Sequence, residues 1–313
     1  MMLRNKTPID LAPLEACLLT DDECVLAVII GVEGPSYRPL GAMMAVFASR
    51  ASVGSLSSGC IEKDIKLHAL DCLKSGKPTI VRYGLGSPYL DIVLPCGGGL
   101  QIMLIPKPCR DVIRRILQAT VSDRRPCTLE IQTHTGEMNL TSKHPCGLVG
   151  QIFRTKFLPE LRFLVFGKGP EAVAFTTLAQ SADFDSILVS PDKETRELAE
   201  NASSETIAID RPEIPATVFA DPWTAIVLFF HDHDWEPPIL KNALATPAFY
   251  IGAQGSERAR DDRHAALVKI GVAQKEMTRL RGPIGLINSA RDARTLAISV
   301  LAEIIQSYSV EKG

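Results

Sequence analysis

Two of the eight cysteines, Cys60 and Cys96, stand in glycine-rich turns beside well-marked elements. The thiolate is the nucleophilic and metal-binding form of sulfur, and glycine neighbours let a ligand or another backbone come close to it. Cys60 lies in the stretch GSLSSGCIEKD, residues 54–64. There Ser57 or Ser58 can cap a helix and Glu62 adds negative charge to its first turn. Cys60 is thus expected at or near a helix N-terminus, where unpaired N–H groups and the helix dipole favour a thiolate. Cys96 opens a CGGG turn, with Gly97 and Gly98 directly after it, ahead of the apolar run 100–105 that reads as a buried strand. Cysteines are often buried and glycine runs often mark only turns, but two cysteines in matching settings favour sulfur presented for chemistry. Cys17, Cys24 and Cys72 occupy apolar positions of periodic segments, and Cys109, Cys127 and Cys146 adjoin a proline or a strand edge. No C-x-x-C pair occurs, which argues against a zinc ribbon or a thioredoxin-like dithiol.

Arg38 sits in a loop bounded by Gly34 and Gly41, where a guanidinium can grip a phosphate or a carbonyl in bidentate fashion or simply be solvated. Glu62 can orient the Cys60 turn, take a proton or complement the helix start. His231 and His233, with Asp232 and Asp234, follow an apolar strand and read as metal ligands, as phosphate-holding groups or as a polar strand-end loop. The turn Gly252–Ser256 leads into a helix carrying Arg258, Arg260 and Arg263; it is an anion site or a tight turn capped by Ser256. Gly282-Pro283-Ile284-Gly285-Leu286 reads as a rigid loop that also suits a cleft wall.

The elements that must position these residues fall into two halves, 1–150 and 151–313. In the first, strands at 25–30, 42–47, 79–82 and 100–105 combine with helices at 11–19, 61–75 and 111–119 and a hairpin near 134–137 into a mixed α+β unit. The helix after Cys60 stops at Gly76, with Pro78 beyond. In the second, the strand 161–166 runs into Gly167-Lys168-Gly169-Pro170 and an apolar helix. Further strands near 187–189, 206–209, 225–230 and 249–251 alternate with helices, which implies a Rossmann-like, doubly wound, mostly parallel sheet. A nucleotide phosphate can sit on the Gly167–Gly169 turn. For NAD(P) the details are unfavourable: Pro170 removes an N–H donor, and the acidic residue near the second strand end, Asp192, comes late, after a proline.

With 313 residues and 46% hydrophobic content the chain can bury two cores. A formal charge of −2 offers no footprint for nucleic acid or an anionic membrane. The N-terminus lacks the sections of a secretion signal and no apolar run spans a bilayer, so a cytoplasmic location with reduced thiols is expected.

Together these motifs resemble the XdhC/CoxI family of accessory proteins for molybdenum hydroxylases. GPSYRPLGAM (34–43) is similar to the family's arginine loop, Ser58–Glu62 to its G-G-C-x-E segment and Cys96-Gly97-Gly98 to its C-G-G turn. The pattern continues in HDHD (231–234), YIGAQGS (250–256), Arg263, GPIGL (282–286) and the final helix around 297–304. Ser58 stands where the family usually has glycine, and Pro170 where it often has histidine. The resemblance implies a chaperone that binds the molybdenum cofactor in a mono- or dinucleotide form, assists its sulfuration and inserts it into an apo-enzyme of the xanthine dehydrogenase type. It also implies a cysteine desulfurase as partner and a homodimer. Cys60 and Cys96 are then the residues expected to meet molybdenum. Arg38, Gly41, Gly59, Glu62, Gly97, Gly98, Gly167, Gly169, His231, Asp232, Gly252, Gly255 and Ser256 are expected around the cofactor. The alternatives are an NAD(P)-dependent oxidoreductase or a sulfur transferase carrying a persulfide on Cys96.

Overall fold

A computed structural model describes residues 9–57, 59–87, 97–143, 145–231 and 234–311. The chain divides into two compact units, Met1–Pro159 and Glu160–Gly313. In the first, helix α1 (Ala12–Leu19) precedes strands β1 (Cys24–Glu33), β2 (Met43–Phe47) and β3 (Ser52–Gly54). Helix α2 (Glu62–Ser75), strands β4 (Thr79–Gly84) and β5 (Gly99–Pro106) and helix α3 (Arg110–Leu117) follow, then β6 (Cys127–Gln132), β7 (Met138–Thr141), β8 (Gly147–Val149) and β9 (Ile152–Phe157).

The strands form a five-stranded sheet in the order β3-β2-β1-β5-β4 and a four-stranded sheet in the order β7-β6-β9-β8. β1 is central in the larger sheet, and its continuous apolar run follows from burial on both faces. Leu26, Val28 and Ile30 pack with α1, α3 and the small sheet's Leu129, Ile131 and Phe153. Val25, Ala27 and Ile29 pack beneath Ile65, Ala69 and Cys72 of α2. α2 ends at Gly76, whose left-handed φ of 67° lets its N–H reach the Cys72 carbonyl.

The second unit carries β10 (Arg162–Gly167), α4 (Pro170–Ser181), β11 (Asp185–Ser190), α5 (Lys193–Asn201), β12 (Glu205–Ala208) and β13 (Thr224–Phe229). It continues with α6 (Glu236–Leu244), β14 (Tyr250–Ala253), α7 (Glu257–Lys269), α8 (Gln274–Met277), β15 (Leu280–Arg281) and α9 (Ala293–Glu311). The sheet order β12-β11-β10-β13-β14-β15, with parallel pairing throughout, is a doubly wound Rossmann arrangement. Cores lie on both faces, one under α4 and α9 and the other under α6 and α7. Among the described residues no helix is long and apolar enough to cross a membrane.

Candidate functional site

Strand register brings the first unit's candidate loops to one end of its larger sheet. Glu33, at the end of β1, pairs with Gly99, at the start of β5, and Gly84, at the end of β4, pairs with the same Gly99. β3 runs antiparallel to β2 and therefore ends, at Gly54, on that side as well. The Arg38 loop, the Cys60 turn and the Gly97-Gly98 turn all leave the sheet there. Cys96 and Ser58 lie outside the described residues, so the register locates the turn beside Cys96 but not its sulfur.

Glu62 builds the Cys60 turn. Its Oε1 accepts from Ser55 Oγ at 2.8 Å, Leu56 N–H at 3.2 Å and Ser57 N–H at 2.8 Å. Its Oε2 accepts from Ser57 Oγ at 2.7 Å and Ile61 N–H at 3.2 Å. Burial pushes this carboxyl up, but the hydroxyls of Ser57 and Ser55 and the Ser57 N–H outweigh it and hold the pKa at about 2. The carboxylate is therefore an ionised bracket, the orienting role among the readings open to it. Ser57 Oγ in turn accepts from Cys60 N–H at 3.0 Å. The expected helix cap is displaced: Ile61 is the N-cap and makes no side-chain cap bond, while Ser57 holds the turn just ahead of it. Cys60 is exposed at the position before that N-cap, preceded by Gly59 at φ 96° with open space about it. Asp64, one turn into α2, accepts from the buried Tyr83 hydroxyl at 2.6 Å and so ties the helix start to β4.

Arg38 is exposed, and its guanidinium has no partner among the described residues. Arg82, the neighbouring cation, is instead spent on Glu33 at 2.6 Å. A Cβ at Gly98 would stand 2.2 Å from the Pro35 carbonyl oxygen, so the Gly97-Gly98 turn and the arginine loop need glycine to lie together. Gly41, at φ +87°, would bring a Cβ to 2.3 Å from Thr155 Oγ1; it closes the loop and packs inward.

In the second unit, the Gly167–Gly169 turn is filled by the protein itself. Gly169 N–H donates to Thr195 Oγ1 at 2.9 Å, and Thr195 Oγ1 donates to Asp192 Oδ2 at 2.6 Å. Asp192 also caps α5 by accepting from Thr195 N–H at 2.7 Å, and the Thr195 hydroxyl and N–H hold its carboxyl below the usual range. A Cβ at Gly167 would meet the Phe229 carbonyl oxygen at 2.5 Å, leaving that glycine a packing role. The acid that a dinucleotide ribose needs is thus committed to a helix cap, and a turn donor is satisfied internally.

A cleft of about 980 Å3 opens instead over the ends of β13 and β14. His231 and Glu171 stand 3.3 Å apart at its wall, across the switch point between β10 and β13. Gly255, Ser256 and the first turn of α7 form another wall, with Ser256 Oγ accepting from Ala259 N–H at 3.2 Å as the N-cap. Pro283, Ile284, Gly285 and Ile287 close the third, the cleft-wall role open to that loop. It is anchored to α9: Glu303 accepts from Gly285 N–H, and Ser299 Oγ accepts from Ile287 N–H at 2.7 Å. Beneath the α7 turn, buried Arg263 donates to Glu236 at 2.8 Å and to the Gln254 carbonyl at 2.6 Å. Gly252 packs against Ile284 and Tyr250 and does not line the cleft. Asp232 and His233 lie outside the described residues, among which no group of three metal-binding side chains occurs.

Thr195 and Arg291 escaped the sequence reading. Thr195 carried one local signal, the D-x-x-T spacing of a capped helix. Arg291, exposed on the cleft wall, carried none.

Residues 17–84 match the XdhC and CoxI family and residues 163–304 match the XdhC Rossmann domain. The chain is 33% identical to the molybdenum cofactor insertion chaperone PaoD of Escherichia coli, over 92% of this chain and 84% of that protein. It is 26% identical to a probable xanthine dehydrogenase subunit of Bacillus subtilis, over 94% of this chain and 96% of that one. A xanthine dehydrogenase crystal structure from Bacillus halodurans shares the fold, with a TM-score of 0.76 over 95% of each chain and 23% identity.

Proposed function

The chain belongs to the XdhC and CoxI family, and from that premise we propose that it binds the molybdenum cofactor and inserts it into a molybdenum hydroxylase of the xanthine dehydrogenase type. The observation that carries the site assignment is the convergence at one sheet end of an exposed Cys60, an Arg38 whose guanidinium has no partner among the described residues, and the Gly97-Gly98 turn that follows Cys96. The cofactor is cargo. Cys60 and Cys96 supply soft sulfur ligands for its metal or for a sulfur atom in transit, and Arg38 supplies a bidentate grip on a phosphate or pterin carbonyl. Glu62 holds the Cys60 turn in place before the cargo arrives, which lowers the ordering cost of binding.

The cleft at His231, Gly255 and Ser256 is assigned to a phosphate of the nucleotide form of the cofactor, since helix N-termini suit anions. The filled Gly167–Gly169 turn weighs against an NAD(P)-dependent oxidoreductase. A cysteine desulfurase as sulfur donor, a homodimeric state and a cytoplasmic location complete the proposal.

The test is retention of cargo. Purified protein incubated with released, sulfurated cofactor should co-elute with molybdenum and pterin in equal amounts, and Cys60→Ala, Cys96→Ala and Arg38→Ala should each reduce the retained fraction. Equal retention by all four proteins would remove the sheet end as the site; retention by none would remove the chaperone function itself.

A further inference from the structure

We propose that Cys17 and Cys24 form a reversible two-electron redox site, a dithiol that closes to a disulfide between α1 and β1. Their Sγ atoms lie 3.4 Å apart, and a bond requires closing to about 2.05 Å. Of the other described cysteines, Cys72 has its thiol against the Lys77 and Leu104 carbonyls, and Cys60 and Cys109 are exposed.

Both sulfurs sit on fixed elements. Cys17 is in the last turn of α1 and Cys24 is the first residue of β1, with its carbonyl accepting from Lys107 N–H at 2.9 Å. Arg110 spans the connection, donating to the Leu18 and Thr20 carbonyls at 2.9 Å each. Its charge lies close enough to favour the thiolate at both sulfurs. The two thiols share a hydrogen bond, so that one proton can serve both sulfurs. Relative exposures of 2% for Cys17 and 6% for Cys24 admit only a small oxidant.

With hydrogen peroxide the step balances. The thiolate of one cysteine of the pair attacks one peroxide oxygen, the O–O bond breaks, and the departing hydroxide takes the proton that this thiol released and becomes water, leaving a sulfenic acid. The sulfur of the other cysteine then displaces the hydroxyl, which leaves as water with that thiol's proton, and the S–S bond forms. Two thiols give up two electrons and the peroxide becomes two waters. A dithiol reductant reverses the bond by exchange.

The test uses the full-length protein, treated with hydrogen peroxide, alkylated and cleaved by a protease specific for acidic residues. Asp21, Asp22 and Glu23 lie between the two cysteines, so that cleavage separates them into different peptides. The expected result is a Cys17–Cys24 linked pair in the wild type that dithiothreitol releases, absent from Cys17→Ser and Cys24→Ser. Recovery of both cysteines as alkylated thiols from the oxidised wild type, or linkage of either to a different cysteine, would overturn the proposal without recourse to any variant.

Discussion

Ser57 gives both its backbone N–H and its hydroxyl to the two oxygens of Glu62, at 2.8 and 2.7 Å, and that double contact makes the loop between β3 and α2 into a fixed platform for Cys60. The Ser57 oxygen passes the restraint on by accepting the Cys60 N–H. The backbone position of Cys60 therefore depends on a carboxylate two residues further along the chain.

Glu62→Ala leaves several donors of the turn without an acceptor and should destabilise the first unit by about 2–3 kcal/mol. Glu62→Gln, which keeps one acceptor oxygen, should cost less. Denaturant unfolding of the three proteins gives the order directly; equal midpoints would show that the turn holds without its bracket.

The same carboxylate makes a pH prediction. Its folded value, about 2, lies below the value of about 4.3 for an unfolded glutamate. Its contribution is therefore fully present above the unfolded value and is lost as pH falls toward the folded one. The stability gap between wild type and Glu62→Gln should be constant at neutral pH and should shrink between about pH 4.5 and pH 2. Urea unfolding across that range checks the sign.

Cys60 and Arg38 are exposed, and among the described residues no structural bond ties either side chain. Cys60→Ala and Arg38→Ala should leave thermal stability within about 0.5 kcal/mol of wild type. Arg38→Ala should weaken cofactor retention roughly tenfold or more, the value of a charged hydrogen bond. A folded variant with undiminished retention would exclude its side chain from the site.

In the second unit, Asp192→Ala removes the α5 cap and should cost about 1 kcal/mol. Because Asp192 is committed to the α5 cap and to Thr195, the substitution should leave nicotinamide nucleotide titrations as they were for wild type. A change in those titrations would restore a nucleotide role to the turn.

Arg263 and Glu236 are each 1% exposed and paired. Glu236→Gln leaves a buried guanidinium without its counter-charge and should cost about 3–5 kcal/mol, whereas Arg263→Met combined with Glu236→Leu should recover most of that loss. Unfolding of the single and double variants separates the two cases.

The sequence by itself determined what neighbours along the chain can enforce. The unbroken apolar run at 25–30 announced the strand β1, Gly76 announced the stop of α2, and Ser256 announced the start of α7. The alternation after Gly167 announced the parallel sheet, because each of these signals is read within a few residues. Only the tertiary structure decided which donors and acceptors were already taken. Thr195 fills the Gly169 turn from 26 residues away, and the three glycine-bearing loops of the first unit share one sheet end through pairings such as Glu33 with Gly99. Cys17 and Cys24 looked like ordinary apolar positions of two separate elements until the turn between them set their sulfurs 3.4 Å apart. Local patterning dictates which backbone a segment adopts, whereas the pairing of side chains and turns across the fold depends on strand register and packing, and these are settled only when the whole core closes.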